Sequence, residues 1–272
     1  MDVSRPIVEF YGSGNEAERL SRGIGPLEFL RTCEILQQVL PEVSISICDV
    51  GGAHGVYSFW LAGLGHQVHL LDLSPELIEA ARRTAQQVDV PALASVQVGD
   101  ARSLPYDDRT MDLVILQGPL YHLQDHEDRF RCLREAFRVL KPGGALLAFG
   151  ITHTASLMVG LQRGWIWNDD HFKMVQGEVT TGEHLRPESW PNLFMDAYFH
   201  RPEGMNAEVQ TCGFQVLGTL GIEGPAWMVD RYDEHWKDEV HQQRILQVAR
   251  LVERDPILSP HFVCVARKPQ DS

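Results

Sequence analysis

Between residues 45 and 150 short apolar runs alternate with amphipathic segments. That alternation is what βαβ units and a parallel sheet require. Ile45–Val50 reads as a buried strand and His54–Leu64 as the helix after it. Gln67–Leu71 is the next strand, closed by Asp72. Ser74 is placed to cap the following helix, Pro75 to take its first position, and Glu76 to face its positive end. Leu77, Ile78, Ala81, Ala85 and Val88 then form an apolar stripe. Ala94–Val98, Met111–Leu116 and Ala145–Phe149 read as the third, fourth and fifth strands. Asp125 can cap a helix whose inner face is Phe130, Leu133, Phe137 and Leu140. Lys141-Pro142-Gly143-Gly144 stops it, because proline cannot continue the hydrogen-bond ladder and glycine tolerates positive φ.

Residues 1–40 read as one or two helices, with Leu27, Leu30, Ile35, Leu36 and Val39 facing inward. Residues 151–200 are rich in Trp, Phe, His and Met, show no clean period, and look like an insertion over the open end of the sheet. Glu203–Thr211 reads as a short helix, and Phe214–Ile222 and His261–Ala266 as final strands. Between those strands lies a helical excursion, Asp233–Glu253, offering Trp236, Val240, Ile245, Val248, Ala249 and Val252 to the core. Two last strands joined by such an excursion suit an antiparallel pair at the sheet edge. The chain is expected to be one domain over 1–272. Its parts are N-terminal cap helices (1–44), a core (45–150), a cap insertion (151–205) and the last strands (206–272) with the excursion at 230–255.

Acidic residues outnumber basic ones, 37 to 24, a formal charge of −13. That argues against a protein built to bind phosphate backbones, and favours a small neutral or cationic partner. The five cysteines are odd in number and no two are spaced as a zinc knuckle, which points to thiols in a reducing cytoplasm. MDVSRPIVEF has no apolar run and is not expected to be a signal peptide. No stretch of about 18 apolar residues is present to span a membrane. The oligomeric state is left open.

The segment Asp49-Val50-Gly51-Gly52-Ala53-His54-Gly55 follows a strand and opens a helix. Small residues there let backbone approach a ligand, and helix N-terminal N–H groups can hold polar or negative groups. The dinucleotide pattern G-x-G-x-x-G falls on Gly51, Ala53 and Val56, so only its first position is met. The spacing acid-x-Gly-x-Gly-x-Gly falls on Asp49, Gly51, Ala53 and Gly55, where only Ala53 departs. Asp72 stands 21 residues after Gly51 and can accept both hydroxyls of a ribose. Such charge-assisted bonds contribute roughly 1.5–3 kcal/mol each. Nicotinamide and adenosyl ligands both use an acid of this kind. Asp100, after the third strand, can accept the exocyclic amine of adenine, with a neighbouring N–H meeting a ring nitrogen.

In register across DVGGAHG, HLLDLS, VGDARSLP, DLVILQGPLYHL and LREAFRVLKPGG, residues 45–150 resemble the class I S-adenosylmethionine-dependent methyltransferases of the type 11 group. The resemblance implies an α/β fold with a doubly wound, mostly parallel seven-stranded sheet, Rossmann-like, with an antiparallel edge strand and a helical, aromatic cap. It implies S-adenosylmethionine as donor and S-adenosylhomocysteine as product. Asp49, Gly51, Gly52 and Ala53 would shape the pocket for the methionine part, Asp72 would hold the ribose, and Leu73 would lie against adenine. Asp100 and Ala101 would read the adenine edge, and Gln117 would lie beside the methionine moiety. If Ala53 has positive φ, alanine in place of glycine should cost about 1 kcal/mol. Phe10-Tyr11-Gly12 resembles the family's cap helices, so Tyr11 would close over the sulfonium with roughly 0.5–2 kcal/mol of cation–π energy. Arg31 either pairs with the donor carboxylate or is an exposed helix residue.

Methyl transfer is an in-line displacement with a good leaving group, so the protein mainly aligns the reactants. Tyr121 and His122 follow the fourth strand, where the sheet opens, and His122 is expected to deprotonate or orient the acceptor unless it merely packs beneath the next helix. His122 and His126 are four apart near Asp125 and Asp128, but those acids suit a helix cap, and no metal is expected. Trp165, Trp167, Phe172, Trp190, Phe194, Tyr198, Phe199 and His200 either cap the acceptor or form the insertion's own core. Tyr198 and His200 share one side of extended chain and are second-rank acceptor-site candidates. His153, His171 and Glu178 cannot be ranked. The expected function is methylation of oxygen, nitrogen or carbon on a small-molecule metabolite in the cytoplasm, without nucleic acid or membrane. The alternatives are a tRNA-modifying methyltransferase and a donor-binding protein that no longer transfers methyl.

Overall fold

The computed structural model describes residues 4–11 and 20–271, without the side chains of residues 4, 5, 9 and 11. Two helices lead in, α1 (Ser4–Tyr11) and α2 (Gly25–Val39). The core follows as β1 (Ser46–Val50), α3 (Val56–Gly63), β2 (Gln67–Asp72), α4 (Pro75–Ala85), β3 (Ser95–Val98) and β4 (Met111–Leu116). It continues with the single turn α5 (Pro119–His122), α6 (His126–Val139) and β5 (Leu140–Ile151). The insertion holds α7 (Ala155–Arg163), α8 (Asp169–Thr181) and the short strands β6 (Glu183–His184) and β7 (Ala197–Tyr198). The chain closes with α9 (Pro202–Thr211), β8 (Gln215–Gly221), α10 (Tyr232–His235), α11 (Glu239–Leu251) and β9 (His261–Arg267).

The main sheet has seven strands in the order β3-β2-β1-β4-β5-β9-β8. The first five pair in parallel, and β9 runs antiparallel to both of its neighbours. The strand order reverses between β1 and β4, and in such sheets ligands bind at the carboxyl ends beside that reversal. The central strands β1 and β4 are buried on both faces, which is why their sequences are nearly continuous apolar runs. Within β4, Leu113 and Ile115 pack on one face with α2 and α3, while Val114 and Leu116 pack on the other with α6 and α9.

Local signals behave as expected at the helix starts. Ser74 Oγ accepts the N–H of Leu77, and Asp125 Oδ1 accepts those of Glu127 at 2.8 Å and Asp128 at 3.2 Å. Several expected inward residues differ. Val88 is 88% exposed, because α4 ends at Ala85 and Asp89 turns at φ +70°. Leu140 is buried, but as the first residue of β5, which continues through Lys141-Pro142-Gly143-Gly144 with a register shift against β4. The residue before a proline favours extended backbone, so the helix stops early and the strand starts early. Val240 lies in the exposed first turn of α11, after the Asp238 cap. Residues 151–200, which show no period, contain two helices and a two-stranded sheet.

Candidate active site

The turn after β1 takes positive φ at Gly51 (+76°), Ala53 (+51°) and Gly55 (+88°). A Cβ on Gly51 would stand 2.6 Å from Pro119 Cδ and 2.8 Å from the Gln117 carbonyl oxygen, so β1 and β4 deliver their ends into contact only with glycine there. A Cβ on Gly52 would meet Asp49 Oδ2 at 2.5 Å. Ala53 adopts the left-handed conformation at a cost of about 1 kcal/mol. Its N–H donates to Asp72 Oδ2 at 2.8 Å, and Asp72 Oδ1 accepts from the N–H of Ser74, also at 2.8 Å.

Asp49 is buried beneath the turn and does not reach the cavity wall. Ser58 Oγ donates to its Oδ2 at 2.5 Å. Burial pushes the Asp49 carboxyl up to about 6; the Ser58 bond opposes that shift and the nearby Asp72 charge adds to it. Asp100 is clamped by Arg102, whose guanidinium reaches Asp100 Oδ2 at 2.6 Å and Asp128 Oδ2 at 2.7 Å. Burial would raise the Asp100 carboxyl, but the side-chain and backbone bonds from Arg102 outweigh it and hold it below its ordinary value. Asp128 therefore serves this clamp as well as the first turn of α6.

These elements enclose a first cavity of about 900 Å³, open mouth included. Gly51, Gly52, Ala53, Asp72, Leu73, Asp100, Ala101, Gln117, Tyr121 and His122 all line it. So do His54, Tyr57, Leu77 and Pro119, which the sequence did not single out. Small residues at the floor, a carboxylate midway and an apolar shelf at Leu73 and Leu77 suit a nucleoside joined to a polar tail. The side chain of Tyr11, and Gly12, lie outside the described residues. Ile7 of the same helix lines the cavity.

A second cavity of about 1350 Å³ adjoins the first and shares Gln117 and Tyr121 with it. Ile24, Phe149, Ile151, Trp165, Met174, Phe194 and Phe199 make it largely apolar. Its polar lining includes Arg22, Glu28, His171, His184 and His261, of which His171 alone is among the residues the sequence offers as candidates. No local pattern marks the others, because they come from the turn before α2, from α2 itself, and from β6 and β9. His122 lines the first cavity next to the shared Tyr121; it is 6% exposed, and its ring lies 5.4 Å from that of Phe194, which lines the second. Burial pushes its imidazole down to about 3, so the ring is neutral at neutral pH.

Tyr198 and His200 line neither cavity. The Arg129 guanidinium lies 3.9 Å from the Tyr198 ring centroid, and Glu208 binds both Arg129 at 2.8 Å and His200 Nε2 at 3.3 Å. This buried cluster ties α6, β7 and α9 together, so the shared side of Tyr198 and His200 faces packing and not the opening. Arg31 is neither exposed nor at the cavity: it is 1% exposed, bridges Glu34 and Glu253, and donates to the Ile222 carbonyl oxygen. Among the cap aromatics, Trp167 is 85% and Phe172 45% exposed, whereas Trp190 packs on Trp165 and His171. His153 is buried, and Glu178 pairs with His184 Nδ1 at 2.6 Å.

Comparison with known proteins gives a consistent picture. The methyltransferase-domain family matches residues 48–148. A tRNA 5-carboxymethoxyuridine methyltransferase of Escherichia coli K12 is 25% identical over 93% of this chain and 95% of its own length. A ubiquinone/menaquinone biosynthesis C-methyltransferase of a Ruegeria species is 31% identical over 42% of this chain and 45% of its own. A crystal structure of a SAM-dependent methyltransferase from Methanosarcina mazei superposes with a TM-score of 0.61 and 23% identity, covering 87% of this chain and 98% of that one.

Proposed function

We propose, for a chain that is a class I S-adenosylmethionine-dependent methyltransferase, that it binds its donor in the first cavity and methylates a small, largely apolar molecule held in the second. The observation that carries this reading is the junction of the two cavities at Gln117 and Tyr121. The glycine approach at Gly51 and Gly52 and the Asp72 carboxylate in the cavity wall fit an adenosyl compound. Asp72 would hold the ribose hydroxyls, Leu73 the adenine face, Asp100 and Ala101 its edge, and Gln117 the methionine end.

The donor supplies an activated methyl group on a sulfonium. This chain's residues align and enclose. The short α5, started by Gly118-Pro119, sets Tyr121 at the junction of the cavities and His122 beside it in the wall of the first. The buried, neutral His122 can accept or donate one hydrogen bond and so orient an acceptor atom. A group with so low a proton affinity is a poor general base at neutral pH. Trp165, Phe194 and Phe199 exclude water, which strengthens the alignment.

The acceptor class rests on chemistry. An acidic chain with an apolar, acid-lined second cavity suits a small molecule better than a polynucleotide. A second reading is favoured by the match along nearly the whole chain to the E. coli tRNA enzyme. The cytoplasm is the setting we propose, supported by five unpaired cysteines. Among the described residues no helix is long and apolar enough to cross a membrane.

Calorimetry with S-adenosylhomocysteine tests the donor site, and binding is expected. Donor consumption is then followed with a panel of small acceptors and with bulk tRNA. Turnover on small molecules alone supports the first reading, and methylated tRNA replaces it with the second. No heat with folded protein removes both.

A further inference from the structure

Most polar side chains of the second cavity are already engaged. His184 spends both ring nitrogens, Nδ1 on Glu178 Oε1 at 2.6 Å and Nε2 on the Phe194 carbonyl oxygen at 3.0 Å. His261 Nδ1 meets Glu223 Oε1 at 2.6 Å, and Arg22, Glu28 and Tyr121 have interactions of their own. His171 of α8 differs. It lines the cavity and is 1% exposed, yet only its backbone N–H is bonded, to Asn168 Oδ1; its ring makes no hydrogen bond among the described residues. Nδ1 is closed off by protein, whereas Nε2 is not and keeps access to the cavity. Ser156 of α7, half-buried, lines the same cavity, and its hydroxyl likewise makes no hydrogen bond among the described residues.

The His171 ring is held in place. Trp165 and Trp190 pack on it, with ring centroids 5.7 and 5.4 Å away. Gly160 of α7 lies against its Cε1–Nδ1 edge, where a Cβ would stand 2.6 Å from Cε1 and 3.3 Å from Nδ1. The Gly160 C–H that points there suits a lone pair on Nδ1 and not an N–H, so the contacts assign the ring proton to Nε2. Burial, and then nearby His184, lower the proton affinity of His171, so the ring is an uncharged donor of one hydrogen bond. Ser156 stands one turn before Gly160 on the same face of α7. Two uncharged donors, Nε2–H and the Ser156 hydroxyl, thus serve one part of a cavity whose walls are otherwise largely apolar. An occupant that displaces water from them without replacing its hydrogen bonds leaves both unsatisfied, which is costly.

We propose that the methyl acceptor is a ring compound that presents an uncharged carbonyl oxygen to His171 and Ser156. This deepens the methyl-transfer reading and rests on it. A carbonyl oxygen has two lone pairs and brings no hydrogen of its own, so it can accept from both groups at once. A carboxylate would enter a dry site where neither of these donors carries a charge to offset its own. Phe149, Trp165 and Phe199 in the walls suit a flat ring beside that oxygen. His171 and Ser156 line the second cavity and not the first, whereas Gln117 and Tyr121 line both. The carbonyl is therefore the anchor, and the atom that takes the methyl group is another, on the side of the molecule nearer the donor.

The test compares three compounds on one framework: 2-acetylnaphthalene, its alkene isostere 2-isopropenylnaphthalene, and 2-naphthoate. Dissociation constants are measured by equilibrium dialysis on protein saturated with S-adenosylhomocysteine. Wild-type protein is expected to bind the ketone at least tenfold more tightly than the carboxylate. The ketone-to-alkene affinity ratio is expected to fall roughly tenfold in His171→Leu, the loss of one well-made hydrogen bond, and by a smaller factor in Ser156→Ala. S-adenosylhomocysteine affinity is expected to stay in place in both variants. A carboxylate that binds as tightly as the ketone, or a ketone that does not bind, overturns the proposal on wild-type protein alone, whether or not the variants fold. So does a ketone-to-alkene ratio that either substitution leaves unchanged. Failure of the wild-type protein to bind S-adenosylhomocysteine would instead strike the underlying methyl-transfer reading.

Discussion

The carboxylate of Asp72 accepts the backbone N–H of Ala53 at 2.8 Å. The acid that closes β2 thus steadies the non-glycine residue that takes positive φ in the turn after β1. The same carboxylate also receives Ser74, so the turn, the strand end and the cap of α4 share one anchor.

Ala53 stores strain that glycine would release. Ala53→Gly is expected to raise stability by about 0.5–1 kcal/mol, the relief at φ +51° exceeding the added freedom of the unfolded chain. Thermal unfolding checks this, with S-adenosylhomocysteine affinity unchanged. A lowered midpoint would mean that the side chain contributes packing the turn depends on.

Asp49 makes stability depend on pH in a definite direction. Its native value of about 6 lies above the ordinary 3.8. Between those values the folded state binds more protons than the unfolded chain, so stability falls as pH rises through the window. Above it the cost levels off at no more than about 3 kcal/mol. The stability of Asp49→Asn relative to wild type should therefore be greater at pH 7.5 than at pH 4, by urea unfolding. An equal difference at both pH values would show that Asp49 does not titrate in this way.

Glu208 should matter for folding and not for the donor. Burial would raise its carboxyl, but bonds from His200 and Arg129 bring it down to about 2. A depressed value means stability that is present above the unfolded value and lost as pH falls toward 2. Glu208→Gln leaves Arg129 buried without its charge partner and is expected to cost about 3–5 kcal/mol. Urea unfolding measures the loss; S-adenosylhomocysteine affinity of the folded fraction should stay within twofold of wild type. A large drop in that affinity would place the cluster at the site after all.

His122 is expected to orient and not to titrate. With its imidazole pushed down to about 3 by burial, the rate profile should show no inflection near pH 6–7 that vanishes in His122→Asn. His122→Ala should lose less than the roughly 10²–10⁴-fold typical of a general base. An inflection abolished by His122→Asn would restore the base.

Much of the donor side was legible because its signals are local. The left-handed turn directly follows β1, Asp72 ends β2 with the Ser74 cap just after it, and Ala53 and Asp72 are only 19 residues apart, so one strand–helix–strand unit brings them together. The same logic put β4 at Met111–Leu116, where apolar residues fill both faces. It misjudged Leu140, whose apolar character fits a helix face and a strand equally well. It also misjudged Tyr198 and His200: alternation says that they share a side, but not which way that side looks.

By itself the sequence determined the parallel core and the acids and glycines at the strand ends, since period, turn chemistry and spacing are properties of neighbours in the chain. Only the tertiary structure decided that β9 lies between β5 and β8, that Arg31 is buried among acids, and that Glu28, Glu223 and His261 meet at one wall. Those residues are separated by up to 233 positions. Which of them share a cavity depends on how distant helices and strands pack, and no local preference encodes that packing.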